Sequence, residues 1–183
     1  ISLPTSGDIQ AFADDTALSI ISYSLEEIET TANSLLDTIH KWGLSAKLNF
    51  NPTKCEAVIF TRKTKITPIK LIMNDKLISI VQEVKYLGIW LDQKLNWHRH
   101  IDESVAKSKR LIFAVSRCTR LKWGLSTDIL RILWKQAFEP IILYGCPIWS
   151  PALRNKLIVN KLHQVQALVA RKIIIAFKIV PFE

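Results

Sequence analysis

Asp14 and Asp15 are adjacent in the stretch Ile9-Gln10-Ala11-Phe12-Ala13-Asp14-Asp15-Thr16-Ala17-Leu18, between two runs of strand-forming residues. Adjacent carboxylates repel each other unless a cation or solvent relieves them. On a tight turn with apolar flanks they predict a rigid, partly dry pair of hard oxygen ligands. Such ligands suit Mg2+ that also binds the phosphate oxygens of a substrate. Without context the same dipeptide reads as an ordinary exposed turn. Other candidates are weaker. His98-Arg99-His100 has no cysteine at metal-ligand spacing and reads as a solvated helix start. Cys55, Cys118 and Cys146 are odd in number and widely spaced, which argues against a disulfide framework. With five glycines, the chain has no Gly-rich loop to cradle phosphates. Trp90, Trp97, Trp123, Trp134 and Trp149 are read as core residues rather than base-stacking platforms.

The elements that must position these groups follow from periodicity. Asp8–Ala13 and Thr16–Ile21 are expected to be strands that meet at Asp14-Asp15. Ser24 with Glu27 forms a capping-box pattern before a helix whose apolar face is Leu25, Ile28, Ala32, Leu35, Ile39 and Trp42, with Gly43 as its C-cap. Short strands are expected at Ala46–Phe50, Cys55–Thr61, Ile69–Met73, Leu77–Ile80 and Val84–Leu91, with turns at Asn51-Pro52 and Asn74-Asp75. After Asp92 the apolar period lengthens to that of a helix. One long helix carries Ile101, Val105, Ile112 and Val115 on its inner face. Thr127–Phe138, capped by Ser126 and interrupted by Pro140, and Leu153–Phe177 are read as further helices, with Ile141–Trp149 a buried apolar run. The fold class is therefore α+β, with an α+β part over 1–92 and an all-helical part over 93–183.

Composition narrows the class. Forty-nine percent of the 183 residues are apolar, too many for disorder, and the longest apolar run is nine residues, too short for a bilayer span. A soluble, intracellular protein of nucleus or cytoplasm, neither secreted nor membrane-bound, is expected. Residue 1 is Ile and the single methionine is Met73, so the chain is read as a piece of a longer one. The net charge of +9 is unevenly spread. Residues 1–40 hold seven acids and no Lys or Arg, whereas residues 41–183 hold all 25 bases with nine acids, a balance of +16. Basic excess of this kind points to a polyanion, most commonly nucleic acid. Lys107, Lys109, Arg110, Arg117 and Arg120, along the long helix, are the candidate phosphate contacts.

Phe12-Ala13-Asp14-Asp15-Thr16 resembles the aromatic-x-Asp-Asp hairpin of reverse transcriptases, most nearly those of non-long-terminal-repeat, jockey-like retrotransposons. Four further segments resemble that family in order. They are Leu48-Asn49-Phe50-Asn51-Pro52-Thr53-Lys54-Cys55-Glu56 after Trp42; Lys85-Tyr86-Leu87-Gly88-Ile89-Trp90-Leu91-Asp92 with Leu95-Asn96-Trp97 and His100-Ile101; Tyr144-Gly145 with Trp149; and Leu162-His163-Gln164-Val165-Gln166. The resemblance implies a partial palm carrying the catalytic and primer-grip hairpins, followed by a thumb-like helical region. It implies Asp14 and Asp15 as ligands of catalytic Mg2+, and Lys54 as the residue that neutralises or protonates the leaving pyrophosphate. Tyr86, Leu87 and Gly88 would position the primer 3′ end. The implied partners are an RNA template, a DNA primer and deoxynucleotides.

One departure from the family pattern stands out. Its third acid lies on a strand well before the hairpin, and only 13 residues precede Asp14. The fingers also lie upstream. The parent enzyme is therefore expected to polymerise DNA on RNA, while the chain alone is expected to be inactive. The alternative is a non-catalytic nucleic-acid-binding remnant of a decayed or domesticated element.

Overall fold

In a computed structural model, residues 7–64, 66–118 and 127–173 are described. They form two compact units, one made of residues up to Gly88 with Asp92–Leu95, the other of Ile89–Leu91 with Asn96 onward. The described residues mix helices with small two-stranded sheets, an α+β arrangement.

The first unit opens with the hairpin β1 (Gly7–Phe12) and β2 (Asp15–Ile20), antiparallel and in register from Gly7 opposite Ile20 to Phe12 opposite Asp15. Helix α1 (Leu25–Ser45) follows, with Glu26 and Glu27 at its positive N-terminal end. Ala32, Leu35 and Ile39 are buried, as the helical period anticipated. Two end signals were misassigned. Ser24 occupies the N-cap without a side-chain cap bond; Ser22 Oγ instead donates to Glu27 and accepts from the Ser24 N–H. Gly43 lies inside the helix, and Lys47, at φ +57°, takes the left-handed conformation beyond it. Gly43 is present because of close approach: a Cβ there would sit 2.9 Å from the Phe50 ring and the Leu48 carbonyl.

The expected strand Ala46–Phe50 is instead loop, and Cys55–Thr61 contracts to β3 (Glu56–Ala57) after a 3-10 turn at Pro52–Lys54. The anticipated hairpin around Asn74-Asp75 forms as β4 (Ile72–Met73) and β5 (Lys76–Leu77). Both turn residues have positive φ, 49° and 57°, the signs a two-residue reversal of right-twisted strands needs. β6 (Ser79–Ile80) pairs parallel with β3. The core joins Ala32 and Ile39 of α1 to Ile69, Leu71, Met73 and Ile78. Asn33 links helix to strand: its Nδ2 donates to the Lys70 carbonyl at 2.9 Å, and its Oδ1 accepts from the Ile72 N–H at 2.8 Å. The expected single strand Val84–Leu91 is divided into β7 (Glu83–Tyr86) and β8 (Ile89–Asp92) by a turn at Leu87-Gly88. From Tyr86 to Leu91 every residue but Gly88 is apolar, so alternation could not mark the break.

The second unit is built on α2 (His98–Cys118), with Ile101, Ser104, Val105, Ser108 and Ile112 buried along one face. The Ser108 hydroxyl donates to the Ser104 carbonyl at 2.9 Å, so its burial leaves no orphan donor. α3 (Thr127–Leu133) is shorter than anticipated, and residues 119–126, including Ser126, lie outside the described residues. A π-helical turn, Trp134–Phe138, follows and leads into α4 (Glu139–Leu143). Pro140 thus does not end the helix. It lacks an N–H for the carbonyl four residues back, and the widened turn before it accommodates that defect. Ile141–Trp149 is not a buried run, since Ile148 and Leu143 are exposed and only Trp149 is fully buried. Gly145, at φ +66°, precedes α5 (Cys146–Trp149). A 3-10 turn, Ser150–Arg154, then leads into α6 (Lys156–Ile173), which buries Ile158, Val165 and Val169. The expected extension of this helix to Phe177 lies beyond the described residues.

His100, read as part of a solvated helix start, is buried at 3% exposure against Trp149, with ring centroids 6.2 Å apart. Its Nε2 has no hydrogen-bond partner, while the ring is hydrogen-bonded to the Tyr144 backbone. Burial lowers its pKa from 6.5; the Tyr144 bond works in the opposite direction, and the Lys107 charge adds to the lowering. The unfolded chain therefore takes up this proton at higher pH than the folded unit does. Stability held above about pH 6.5 should be lost as pH falls from the unfolded toward the folded pKa. Thermal melts of His100→Gln against the wild type should show that this acid-side loss is smaller in the variant.

Candidate functional site

The candidate site residues lie on turns and at element ends. β1 and β2 are linked by two residues, Ala13 and Asp14, so Asp14 is in the turn itself and Asp15 is the first residue of β2, opposite Phe12. Strand-forming flanks and a two-residue connection fix this register. Ala13 carries φ +53°, a backbone region that glycine fills without strain. The expectation of a partly dry pocket is overturned. Asp14 and Asp15 are both exposed, and Phe12 beside them is 65% exposed. An edge-open, two-stranded hairpin has too little apolar mass around its tip to exclude water.

Among the described residues, neither carboxylate has a hydrogen-bond or ionic partner, and no group of three or more His, Cys, Asp or Glu residues could hold a metal. Asp14 and Asp15 thus offer two hard oxygen donors at one tip. That set fits Mg2+, which is commonly held by one or two carboxylates while water and substrate phosphates fill its other positions.

Lys54 ends the 3-10 turn Pro52–Lys54 and is exposed, with no carboxylate partner among the described residues. The turn is held by Asn51, whose Oδ1 accepts from the Thr53 N–H at 3.1 Å and from Thr53 Oγ1 at 2.7 Å. No hydrogen bond or ion pair joins Lys54 to Asp14 or Asp15 among the described residues. Cys55, next in sequence, has its thiol pKa raised by burial and so is not an activated nucleophile.

Tyr86 and Leu87 are half-buried and Gly88 is exposed. Leu87 and Gly88 both have positive φ, 44° and 82°. The turn itself therefore requires Gly88's freedom, a reason separate from the close backbone approach anticipated from sequence.

The basic residues of α2 divide. Lys107 and Arg110 are exposed and Lys109 is half-buried. Arg117 lies on α2, but its side chain falls outside the described set, as does Arg120 altogether. Arg99, which the sequence groups with these basic residues, sets its guanidinium 3.6 Å from the Trp90 ring centroid, a cation–π contact that spacing did not foretell. The turn expected at Asn51-Pro52 forms, and its asparagine makes the side-chain-to-backbone bond that favours Asn there. Of the tryptophans read as core, Trp97 and Trp149 are buried, and Trp123 lies outside the described residues. Trp149 donates its indole N–H to the Tyr144 carbonyl at 2.8 Å. Gly145 next to it is tightly confined: a Cβ there would meet Ile89 Cδ1 at 2.5 Å.

No family model matches the chain, and no solved structure does. Curated sequences do. Over 90% of its length the chain is 30% identical to the RNA-directed DNA polymerase from mobile element jockey of Drosophila melanogaster, and 31% identical to the same polymerase of Drosophila funebris. Over 88% of its length it is 28% identical to a Pol polyprotein from the type-1 retrotransposable element R1 of Bradysia coprophila. It spans 16–18% of the length of these three relatives. The chain is therefore similar to a segment of polymerases encoded by mobile elements. Among these, it is a segment-length relative of the non-LTR, jockey-like retrotransposon polymerases, in agreement with the five ordered motifs.

The strained Ala13 yields a prediction. Ala13→Gly should raise the stability of the first unit by about 0.5–1 kcal/mol, because relief of the left-handed strain exceeds the entropy lost with the added freedom. The urea midpoint should move upward with an unchanged slope.

Proposed function

We propose that this chain forms the later part of the palm and the thumb of a non-LTR retrotransposon RNA-directed DNA polymerase. The observation that carries the reading is the ordering of Asp14-Asp15, Lys54 and Tyr86-Leu87-Gly88 along a chain aligned over nine-tenths of its length with such polymerases. In this reading a primer 3′-hydroxyl attacks the α-phosphate of a deoxynucleotide paired to an RNA template. Asp14 and Asp15 would hold Mg2+, which when bound activates the attacking oxygen and neutralises charge on the phosphates. Asp14, in the turn, is the principal ligand, and Asp15 completes the pair. Lys54 supplies positive charge, or a proton, to the departing pyrophosphate. Tyr86, Leu87 and Gly88 hold the primer end, and the exposed Lys107 and Arg110, with Lys109, meet backbone phosphates of the RNA–DNA duplex. Arg117 and Arg120 extend that basic stretch in sequence.

Exposure of both carboxylates, with no third ligand among the described residues, is consistent with catalysis needing a further carboxylate from elsewhere in the polymerase. It also favours a second reading for the 183 residues taken alone, as a nucleic-acid-binding remnant without catalysis. No helix among the described residues is long and apolar enough to cross a membrane.

The two readings part on primer extension with RNA template, Mg2+ and deoxynucleotides. The 183-residue chain alone should give no extension. A polymerase-length protein containing it should extend, and Asp14→Asn should reduce that rate by at least 100-fold, as expected for loss of charge at a metal ligand. Extension by the short chain that depends on Asp14 would overturn the inactive-alone reading. For binding, gel shifts of the chain with an RNA–DNA duplex should weaken steeply between about 50 and 200 mM salt. Lys107→Ala with Arg110→Ala should lower the salt slope by about two.

A further inference from the structure

We propose that Asn51 is a positioning residue that aims Lys54 at the phosphates of the incoming nucleotide. The proposal rests on the reading of Lys54 as the residue that meets the leaving pyrophosphate.

Lys54 has no hydrogen-bond or ionic partner among the described residues, so only the backbone fixes where its side chain departs. That backbone is one turn of 3-10 helix, whose hydrogen-bond geometry is poorer than that of an α-helix. Asn51 braces it from both its polar ends. Its side-chain Oδ1 accepts the Thr53 N–H at 3.1 Å and the Thr53 hydroxyl at 2.7 Å. Its backbone carbonyl accepts the Lys54 N–H at 3.0 Å and the Cys55 thiol at 3.4 Å. Pro52, buried, fixes φ at the first position of the turn, and its carbonyl accepts the Cys55 N–H at 3.2 Å.

The turn is tied down on both sides. Before it, Phe50 packs so closely on Gly43 of α1 that a methyl group at 43 would not fit, and the Leu48 N–H donates to the Gly43 carbonyl at 2.7 Å. After it, β3 pairs with β6, and the Val81 N–H donates to the Ala57 carbonyl at 2.8 Å. Lys54 therefore projects from a short arch whose two feet are fixed and whose crown one amide side chain braces. An asparagine suits this place because its side-chain carbonyl oxygen can take two donors at once.

The test is single-nucleotide incorporation by a polymerase-length protein containing this chain, with Asn51→Ala, Asn51→Asp, Lys54→Ala and the double variant Asn51→Ala/Lys54→Ala. Asn51→Ala should lower the maximal incorporation rate about tenfold, the scale at which a displaced catalytic group is felt. Asn51→Asp, which keeps the acceptor, should recover most of that loss. In the Lys54→Ala background, Asn51→Ala should have no further effect, since there is no ammonium left to aim. An equal loss from Asn51→Ala in both backgrounds, while Lys54→Ala is itself damaging, would overturn the positioning role and leave the reading of Lys54 standing. A Lys54→Ala variant as fast as the wild type would overturn that reading and the positioning role with it. Thermal melts of Asn51→Ala within about 2 °C of the wild type, a shift worth under 1 kcal/mol, keep a folding defect from imitating the result.

Discussion

Left-handed backbone at two-residue reversals is the constraint on which the candidate site depends. Strands twist to the right, and a two-residue connection matches that twist only where φ is positive. This chain meets the requirement at Ala13, at Asn74-Asp75 and at Leu87-Gly88. Two of those three reversals carry residues that the family resemblance assigns to catalysis or primer contact. Only one of the three uses glycine. Ala13 and Leu87 hold left-handed backbone at a steric cost of about 1–2 kcal/mol each. Such a cost persists only where the flanking register leaves no alternative, and the six-pair ladder from Gly7 to Ile20 does so for Ala13.

Every sheet in the described residues has two strands, and a lone hairpin is marginally stable in water. Stability of the first unit therefore comes from α1. Its apolar face meets Ile69, Leu71 and Met73, and Asn33 extends the strand's own hydrogen bonding into the helix. Those two bonds contribute on the order of 1–3 kcal/mol together. Gly43 allows Phe50 to close down on the same helix. The segment that presents Lys54 is thereby anchored by packing at a helix end rather than by the strand that alternation suggested. In the second unit the equivalent anchor is the Tyr144 carbonyl, which accepts the Trp149 indole N–H and is next to a glycine that admits no side chain.

Charge of opposite sign is concentrated at two places along the chain. The carboxylates at the hairpin tip are unpaired among the described residues and exposed, so their mutual repulsion is relieved by water. A cation arriving there meets two hard donors already held in register. The exposed Lys107 and Arg110 of α2 offer fixed positive charge to a polyanion. Net charge of +9 thus conceals an acidic tip and a basic helix face, which a single balance would average away.

Much was legible in the amino-acid order. The Asp-Asp hairpin, the apolar faces of α1 and α2, the Asn74-Asp75 turn and the kinship with jockey-like polymerases all follow from local pattern, because period, turn chemistry and ordered motifs are properties of neighbouring residues. What the pattern missed are outcomes of distant contact. Gly43 looked like a helix stop and is a packing gap for Phe50; His100 looked solvated and is buried against Trp149; Pro140 looked like an end and is absorbed by a π turn. The exposure of Asp14 and Asp15 also lay outside local pattern, since apolar flanks say nothing about whether another layer covers them. The sequence by itself determined which residues can do chemistry and in what order they come. Tertiary structure alone decided which of them face water and which backbone turns aim them, because burial is set by residues far apart in the chain.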